Sequence, residues 1–322
     1  MIGEYTNFPN GVTSFGIPLP GGSRPWGKHW FVDQGGGAPN YPGKGSNQAF
    51  TTIQGAIDSA SAGDTIHVKG IAGSVGQTSD YSESVTIPYT KPGLAIIGEG
   101  NSDSEGVLWT CETQNDVMIS VKARDCLVQG FRLRPNGTTG WAVGLYRQYT
   151  VATNDSSGFT LRNCVIRSTT QTSGGINMGG TLATNNQGAN DVTIERCIFD
   201  SVIYALYCSS PATVPSRTVM RDVYITGSCT HGVSHSVRRS LFERVYVADL
   251  GGGMMMDTDM NGGAAAADNR VKDCSFGDEN SAIAEVNAGD TDCWAGSYFG
   301  NSDISATYVD TPTNLFVTAP NG

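Results

Sequence analysis

Several features are missing from this sequence of 322 residues, and each absence makes a class of protein or site unlikely. No run of 18 apolar residues occurs, so we predict no membrane-spanning helix and no membrane partner. The first 22 residues lack a basic start followed by an apolar stretch, so we expect no signal peptide. The eight cysteines form no CxxC motif and no Cys/His cluster, so we expect neither a metal site nor a disulfide framework.

Positive charge is also scarce. The chain has 20 Lys and Arg against 30 Asp and Glu, which gives a formal net charge of −10. This balance argues against nucleic acid as a partner and against unaided binding to acidic polysaccharide, while a neutral glycan or a protein partner stays open. The sequence contains no GxSxG elbow and no phosphate-binding loop, and nothing in it predicts a cofactor.

A repeated segment is the main positive signal. Six equivalent positions lie 22 to 33 residues apart, a spacing typical of stacked coils: Phe131, Cys164, Cys197, Val223, Val245 and Cys274. The residues three before and two after each of them are apolar: Val128, Leu161, Ile194, Met220, Phe242 and Val271, then Leu133, Ile166, Phe199, Ile225, Val247 and Phe276. Side chains alternate along a strand, so two residues on the same face of one strand are an even number of positions apart. The spacing of two after each reference position fits one strand, whereas the spacing of three before it does not. The pattern therefore predicts two short strands that meet at a bend in each coil.

The two positions at the bend are polar, and their charges alternate from coil to coil. The first column reads Gln129, Arg162, Glu195, Arg221, Glu243 and Lys272, and the second reads Gly130, Asn163, Arg196, Asp222, Arg244 and Asp273. If coils stack at roughly 4.8 Å, each charge faces opposite charges in the neighbouring coils. Exposed ion pairs contribute only about 0–1 kcal/mol each, so we interpret the columns as a device that fixes the register of stacking.

The order of these patterns predicts three regions. Residues 1–28 are rich in Gly and Pro yet carry apolar side chains, which predicts an arm that docks on another protein through Phe8, Val12, Phe15, Ile17 and Leu19. A strand that wraps the base of the chain's own solenoid is the alternative. Residues 29–300 form the solenoid, with a capping helix near 48–60, and residues 301–322 form a terminal cap. Further short strands near 143–145, 176–178, 206–208, 233–235, 254–256 and 283–285 would complete a third wall.

We searched the third wall for catalytic residues, since a glycosidase needs two carboxylates about 5–9.5 Å apart. Its predicted outward positions carry no acid: Gly144, Asn177, Tyr207, Ser234, Met255 and Ala284. The best remaining cluster is Asp257 and Asp259, with His231 and His235 on the preceding coil. The two aspartates are better explained as turn residues before a Gly pair, and His235 as a core residue. The sequence therefore favours a protein without catalytic activity.

Two stretches resemble known families. The opening FTTIQGAIDSASAGDTIHVKG, with the later VTIP and LAIIGEG, resembles the start of the pectate-lyase-like superfamily. That resemblance implies an all-β fold, a right-handed single-stranded parallel β-helix, in a superfamily that includes lyases, glycosidases, tailspikes and inert structural proteins. The arm segment NFPNGVTSFGIPLPGG resembles the start of tailed-phage virion proteins that are encoded among head genes.

These resemblances lead to a functional expectation. We expect a structural protein of a phage virion, a capsid decoration or head-spike protein that is assembled in the host cytoplasm and lies on the outer surface of the head. Its partners would be the major capsid protein or another virion protein, two further copies of itself in a homotrimer, and a possible host-surface glycan. A tailspike-type or free polysaccharide lyase or glycosidase is the alternative. A third possibility is an adhesin that binds glycan without cleaving it, through loops such as 168–190.

Overall fold

The computed structural model describes the central part of the chain and short pieces on either side. The described residues are 13–14, 17–18, 27–34, 49–70, 81–99, 106–147, 154–168, 173–179, 188–208, 215–227, 229, 231–234, 237, 239–248, 270–276, 293–295 and 298–299. Within these ranges, no helix is long and apolar enough to cross a membrane.

The described strands stack in parallel as three walls, which confirms the predicted parallel β-helix. Strands of the first wall are β3 (His29–Val32), β4 (Thr65–Lys69), β7 (Ala95–Glu99), β10 (Leu127–Gln129), β13 (Thr160–Arg162), β16 (Thr193–Glu195), β22 (Arg270–Lys272) and β24 (Cys293–Ala295). Those of the second wall are β5 (Tyr81–Ser82), β8 (Val107–Thr110), β11 (Phe131–Arg134), β14 (Val165–Arg167), β17 (Ile198–Asp200), β23 (Ser275–Phe276) and β25 (Tyr298–Phe299). Two long strands, β19 (Val219–Thr226) and β21 (Leu241–Val247), run through both walls and join them into one sheet of 17 strands.

The third wall is a separate sheet of six strands. It consists of β6 (Val85–Ile87), β9 (Val117–Val121), β12 (Trp141–Leu145), β15 (Gly174–Asn177), β18 (Tyr204–Tyr207) and β20 (His231–Ser234). Four of the six stretches predicted for this wall overlap these strands, while 254–256 and 283–285 lie outside the described residues. The only antiparallel pair of strands among the described residues is β1 (Thr13–Ser14) with β2 (Ile17–Pro18), in the arm.

One left-handed residue makes the bend between the first two walls. Backbone φ is positive at the second bend position of every described repeat: Gly130 (82°), Asn163 (50°), Arg196 (53°), Asp222 (54°), Arg244 (53°) and Asp273 (52°). This conformation costs a non-glycine residue roughly 1–2 kcal/mol. Across this residue the alternation of inward and outward side chains is shifted by one position. The odd spacing between apolar residues in the sequence predicts this shift.

The core is the column of side chains between the walls. All six reference positions are buried, from Phe131 to Cys274, and so are the flanking inward positions whose side chains the structure describes. Val271 and Phe276 fall outside that set. Seven cysteines are free and buried, so these thiols pack as small apolar groups and make no disulfide.

A short helix lies at the N-terminal end of the solenoid. Helix α1 (Ile53–Ser59) begins at Thr52, whose Oγ1 accepts a hydrogen bond from the Gly55 amide at 3.2 Å. The Glu83 carboxylate accepts two more, from the amides of Ile53 at 2.7 Å and Gln54 at 3.0 Å. The helix packs against β3, β4 and β6. It is shorter than the stretch of 48–60 expected from the apolar pattern.

The charged side chains at the bend lie in the two columns predicted. Strand pairing aligns Arg162, Glu195, Arg221, Glu243 and Lys272 in one column. Within it, Arg162 Nε lies 2.8 Å from Glu195 Oε2, Arg221 Nε lies 2.7 Å from Glu243 Oε2, and Lys272 Nζ lies 3.1 Å from Glu243 Oε1.

The second column adds contacts of its own. Arg244 binds Asp222 through two nitrogens, at 2.5 and 3.1 Å, and lies 3.1 Å from Glu243 in the first column. Lys272 lies 3.6 Å from Asp273, and Arg196 lies 3.9 Å from Glu195. Hydrogen bonds from Lys272 and Arg221 lower the pKa of Glu243, and the bond from Arg244 lowers the pKa of Asp222.

Reversing one charge of the column tests its role in register. Glu195→Arg removes the bond from Arg162 and places a third cation between Arg162 and Arg221. We expect a loss of stability of about 1–2 kcal/mol at low salt, larger than for an isolated exposed charge. Thermal unfolding in 10 and 500 mM salt measures it, with Glu112→Arg, at an exposed position, as the matched control. An unchanged melting temperature for Glu195→Arg at low salt would contradict the register role.

Asp64 ties β3, the first strand of the first wall, to the chain just before β4. It is 3% exposed, and its carboxylate accepts hydrogen bonds from the Lys28 amide at 2.7 Å, the Ser61 amide at 2.7 Å and Trp30 Nε1 at 2.8 Å. Burial alone would raise the pKa of Asp64, but the three hydrogen bonds outweigh it, and the net pKa is lowered.

This lowered pKa makes a prediction about pH. The ionised Asp64 stabilises the fold above the ordinary pKa of 3.8, and the contribution is lost as the pH falls through the lower folded-state value. We expect Asp64→Asn to cost roughly 1–3 kcal/mol at pH 7 and progressively less towards pH 2. Urea unfolding across this range measures the difference, with the exposed Asp58→Asn as the control. A cost that does not change with pH would contradict the assignment.

Candidate glycan-binding face on the third wall

The structure describes one of the four residues of the predicted catalytic cluster. Asp257, Asp259 and His235 lie outside the described residues, whereas His231 is the first residue of β20. Of the predicted docking residues, Ile17 lies in β2, and the other four, Phe8, Val12, Phe15 and Leu19, fall outside the described ranges.

The outward positions predicted for the third wall do share one register. Strand pairing aligns Gly144 with Asn177, Asn177 with Tyr207, and Tyr207 with Ser234, while Met255 and Ala284 lie beyond the described part of the chain. The six described strands of this wall contain no Asp, Glu, Lys or Arg. Among the described residues there is also no cluster of three His, Cys, Asp or Glu side chains that could hold a metal ion.

Aromatic rings form a continuous stack on this wall. The Trp141 ring lies 5.2 Å from that of Tyr207 and 6.1 Å from that of Tyr204, with interplanar angles of 26° and 13°. The two tyrosine rings are 4.7 Å apart, and Tyr204 stacks on His231 at 4.8 Å and 8°. All four side chains are half-buried, so the stack has an accessible surface.

A glycine makes room for the stack. Trp141, Gly174, Tyr204 and His231 occupy one column of four successive coils, and the indole of Trp141 lies over Gly174. A Cβ atom at Gly174 would lie 2.1 Å from Cε3 of that indole. The missing side chain therefore lets Trp141 reach across one coil to the tyrosines of the next.

The rings of this face have a chemistry that suits ligand binding. Burial raises the pKa of Tyr204, and the neighbouring Tyr207 raises it further by a smaller amount. The phenol of Tyr204 is therefore neutral at physiological pH and can donate a hydrogen bond. Flat rings with polar edges suit ligands that combine an apolar face with hydroxyl groups. Asn177, in contrast, is fully buried, and its Oδ1 accepts a hydrogen bond from the Gly179 amide at 3.0 Å, so it serves the local turn.

Sequence reasoning identified Tyr207 as outward but missed its neighbours. Trp141 and Tyr204 have the same parity as the inward Val143 and Leu206, so strict alternation assigns both rings to the core. The useful signal would have been the column itself, in which a large aromatic residue faces a glycine in the adjacent coil.

No protein-family model and no curated protein sequence matches the chain. Similar solved structures include the pectate lyase Bsp165PelA from Bacillus sp. N165, with 13% identity, a TM-score of 0.41 and coverage of 92% of this chain and 90% of that one. A polygalacturonase from Erwinia carotovora ssp. carotovora has 11% identity, a TM-score of 0.38 and coverage of 87% and 96%.

A phage protein, Geobacillus virus E2 ORF18, is similar at 12% identity and a TM-score of 0.40, over 78% of this chain and 55% of that one. At such identities and TM-scores, these likenesses carry no conclusion about what this chain does.

Proposed function

We propose that this chain is a structural protein of a phage virion, a capsid decoration or head-spike protein that docks through residues 1–28 and projects its β-helix outward. The observation that carries the proposal is a stacked parallel solenoid of three walls that follows an arm rich in Gly, Pro and apolar side chains. The resemblance of the arm to the start of phage head proteins supports the attachment site.

In this proposal the arm and the solenoid have separate tasks. Phe8, Val12, Phe15, Ile17 and Leu19 bury apolar surface in a groove of the major capsid protein or another virion protein, while the prolines restrict the free arm and so lower the cost of ordering it. The stacked coils supply a stiff outer body. By analogy with other phage β-helices, three copies assemble in the host cytoplasm into a homotrimer.

Capsid attachment can be tested by co-sedimentation with undecorated capsids of the phage that encodes the chain. We expect the full-length protein to sediment with the capsids, and a version without residues 1–28 to stay in the supernatant because it lacks the apolar anchors. Phe15→Asp with Ile17→Asp in the full chain should have the same effect at unchanged length. Failure of the full-length protein to bind would contradict head attachment and make a tailspike or a free polysaccharide enzyme the better proposal.

The aromatic stack favours a second function, the binding of a neutral glycan without turnover. Trp141, Tyr204, Tyr207 and His231 form an aromatic surface that crosses several coils, and a pyranose ring can lie with its C–H face against such rings. A virion protein with this face would hold the phage near its host surface.

Removing one ring tests this function. We expect Trp141→Ala and Tyr207→Ala each to weaken binding to neutral glycans by about tenfold, because a stacked aromatic contributes roughly 0.5–1.5 kcal/mol beyond the area it buries. A glycan array identifies the ligand, and titration of the best hit gives the affinity. Tyr89→Ala, at a tyrosine that is 49% exposed and outside the stack, is the control. Equal losses in all three variants would contradict a specific site.

A further inference from the structure

The second wall carries a groove of about 610 Å³ on its outer side. Four arginines line it, Arg132, Arg134, Arg167 and Arg196, and none of the described lining residues is acidic. In a chain with a formal net charge of −10, this is a local concentration of positive charge.

The arginines come from three successive coils. Arg132 and Arg134 lie two residues apart on β11 and therefore on the same face of the strand. Strand β14 pairs with β11 so that Leu133 faces Ile166, which places Arg167 beside Arg134. Arg196 belongs to the next coil, where it occupies the left-handed bend position.

Acidic neighbours neutralise only part of this charge. Arg167 Nε lies 2.5 Å from Asp200 Oδ2. Arg196 lies 3.9 Å from the Glu195 carboxylate, which already accepts a bond from Arg162 at 2.8 Å. It also interacts with the charge of Asp222 in the next coil, and that carboxylate already accepts a bond from Arg244 at 2.5 Å. Nε of Arg134 is buried, and no described group accepts its hydrogen. A buried donor in this state favours a ligand that brings an acceptor.

The floor of the groove is apolar. Leu108, Val165 and Ile198 line it and share one register with Arg132, and Ile198 is 39% exposed. The same column continues beyond the groove to Tyr224, which is 54% exposed and stacks on Tyr246 with ring centroids 4.9 Å apart. Beyond Arg132, a strip of apolar surface therefore runs from Val165 through Ile198 to Tyr224, beside the guanidinium groups.

We propose that this groove binds an anionic polysaccharide. Its sugar rings lie along the strip from Val165 to Tyr224, and its carboxylate or sulfate groups pair with the guanidinium groups of Arg134 and Arg196. Arginine suits this role because its planar fork matches an oxyanion through two hydrogen bonds. The net charge of the chain does not prevent such binding, since in physiological salt distant charges are screened beyond about 8 Å.

Three dextrans with one backbone test the proposal: carboxymethyl dextran, dextran sulfate and neutral dextran, titrated against the full chain by calorimetry at low and physiological salt. The key variant combines Arg134→Gln with Arg196→Asn. Asparagine is compatible with the bend, because Asn163 holds the same left-handed position one coil earlier. Arg217→Gln is the matched control, since it removes one exposed arginine, bonded to Asp191, that does not line the groove.

We expect one or both charged dextrans to bind, with an affinity that falls as salt rises, and neutral dextran to bind at least about tenfold more weakly. Binding to only one charged form identifies carboxylate or sulfate as the group recognised. The double variant should lose about tenfold or more in affinity, and Arg217→Gln less than about twofold. Equal binding of neutral dextran, no binding of either charged form, or equal losses in the double variant and the control would each overturn the proposal. Circular dichroism of the variants shows that they are folded.

Discussion

Six successive coils of the solenoid each depend on one residue, from Gly130 to Asp273, that is held in the left-handed region at the bend between the first two walls. Because this residue shifts the parity of the chain, the strand before it and the strand after it both direct apolar side chains into the same core. Glycine, asparagine and aspartate tolerate this conformation better than other residues do. Arg196 and Arg244 occupy it as well, and the ion pair of Arg244 with Asp222 offsets part of the cost.

The bend also explains why the charge columns exist. A residue that turns the corner points to solvent, and stacking at roughly 4.8 Å sets each one directly above its counterpart in the next coil. Like charges in that position would repel, so alternation is the arrangement compatible with close stacking. The carboxylate of Glu243 pairs with Arg221, Arg244 and Lys272, so one acid at the bend contacts three cations at once.

The sequence was sufficient to predict the walls but not the surfaces that they carry. The apolar positions around Cys164 and Cys197 recur at a fixed distance from the bend, and the structure buries them as predicted. The aromatic stack was missed because Trp141 and Tyr204 depart from strict alternation. The groove was missed because its charge is spread over Arg132, Arg134, Arg167 and Arg196, which lie in different coils and become neighbours only when the register is known. The predicted catalytic candidates Asp257 and Asp259 remain predictions.

The alternation of charge has a consequence for how such a chain can change in length. Duplicating a single coil would place Glu195 next to its own copy and Arg196 next to another arginine. Duplicating two adjacent coils preserves the order of signs in both columns, because Glu195 and Arg221, like Arg196 and Asp222, carry opposite charges. A solenoid of this kind therefore lengthens most readily in steps of two coils, or about 10 Å. Related chains of this kind would then differ in solenoid length by whole multiples of that two-coil step.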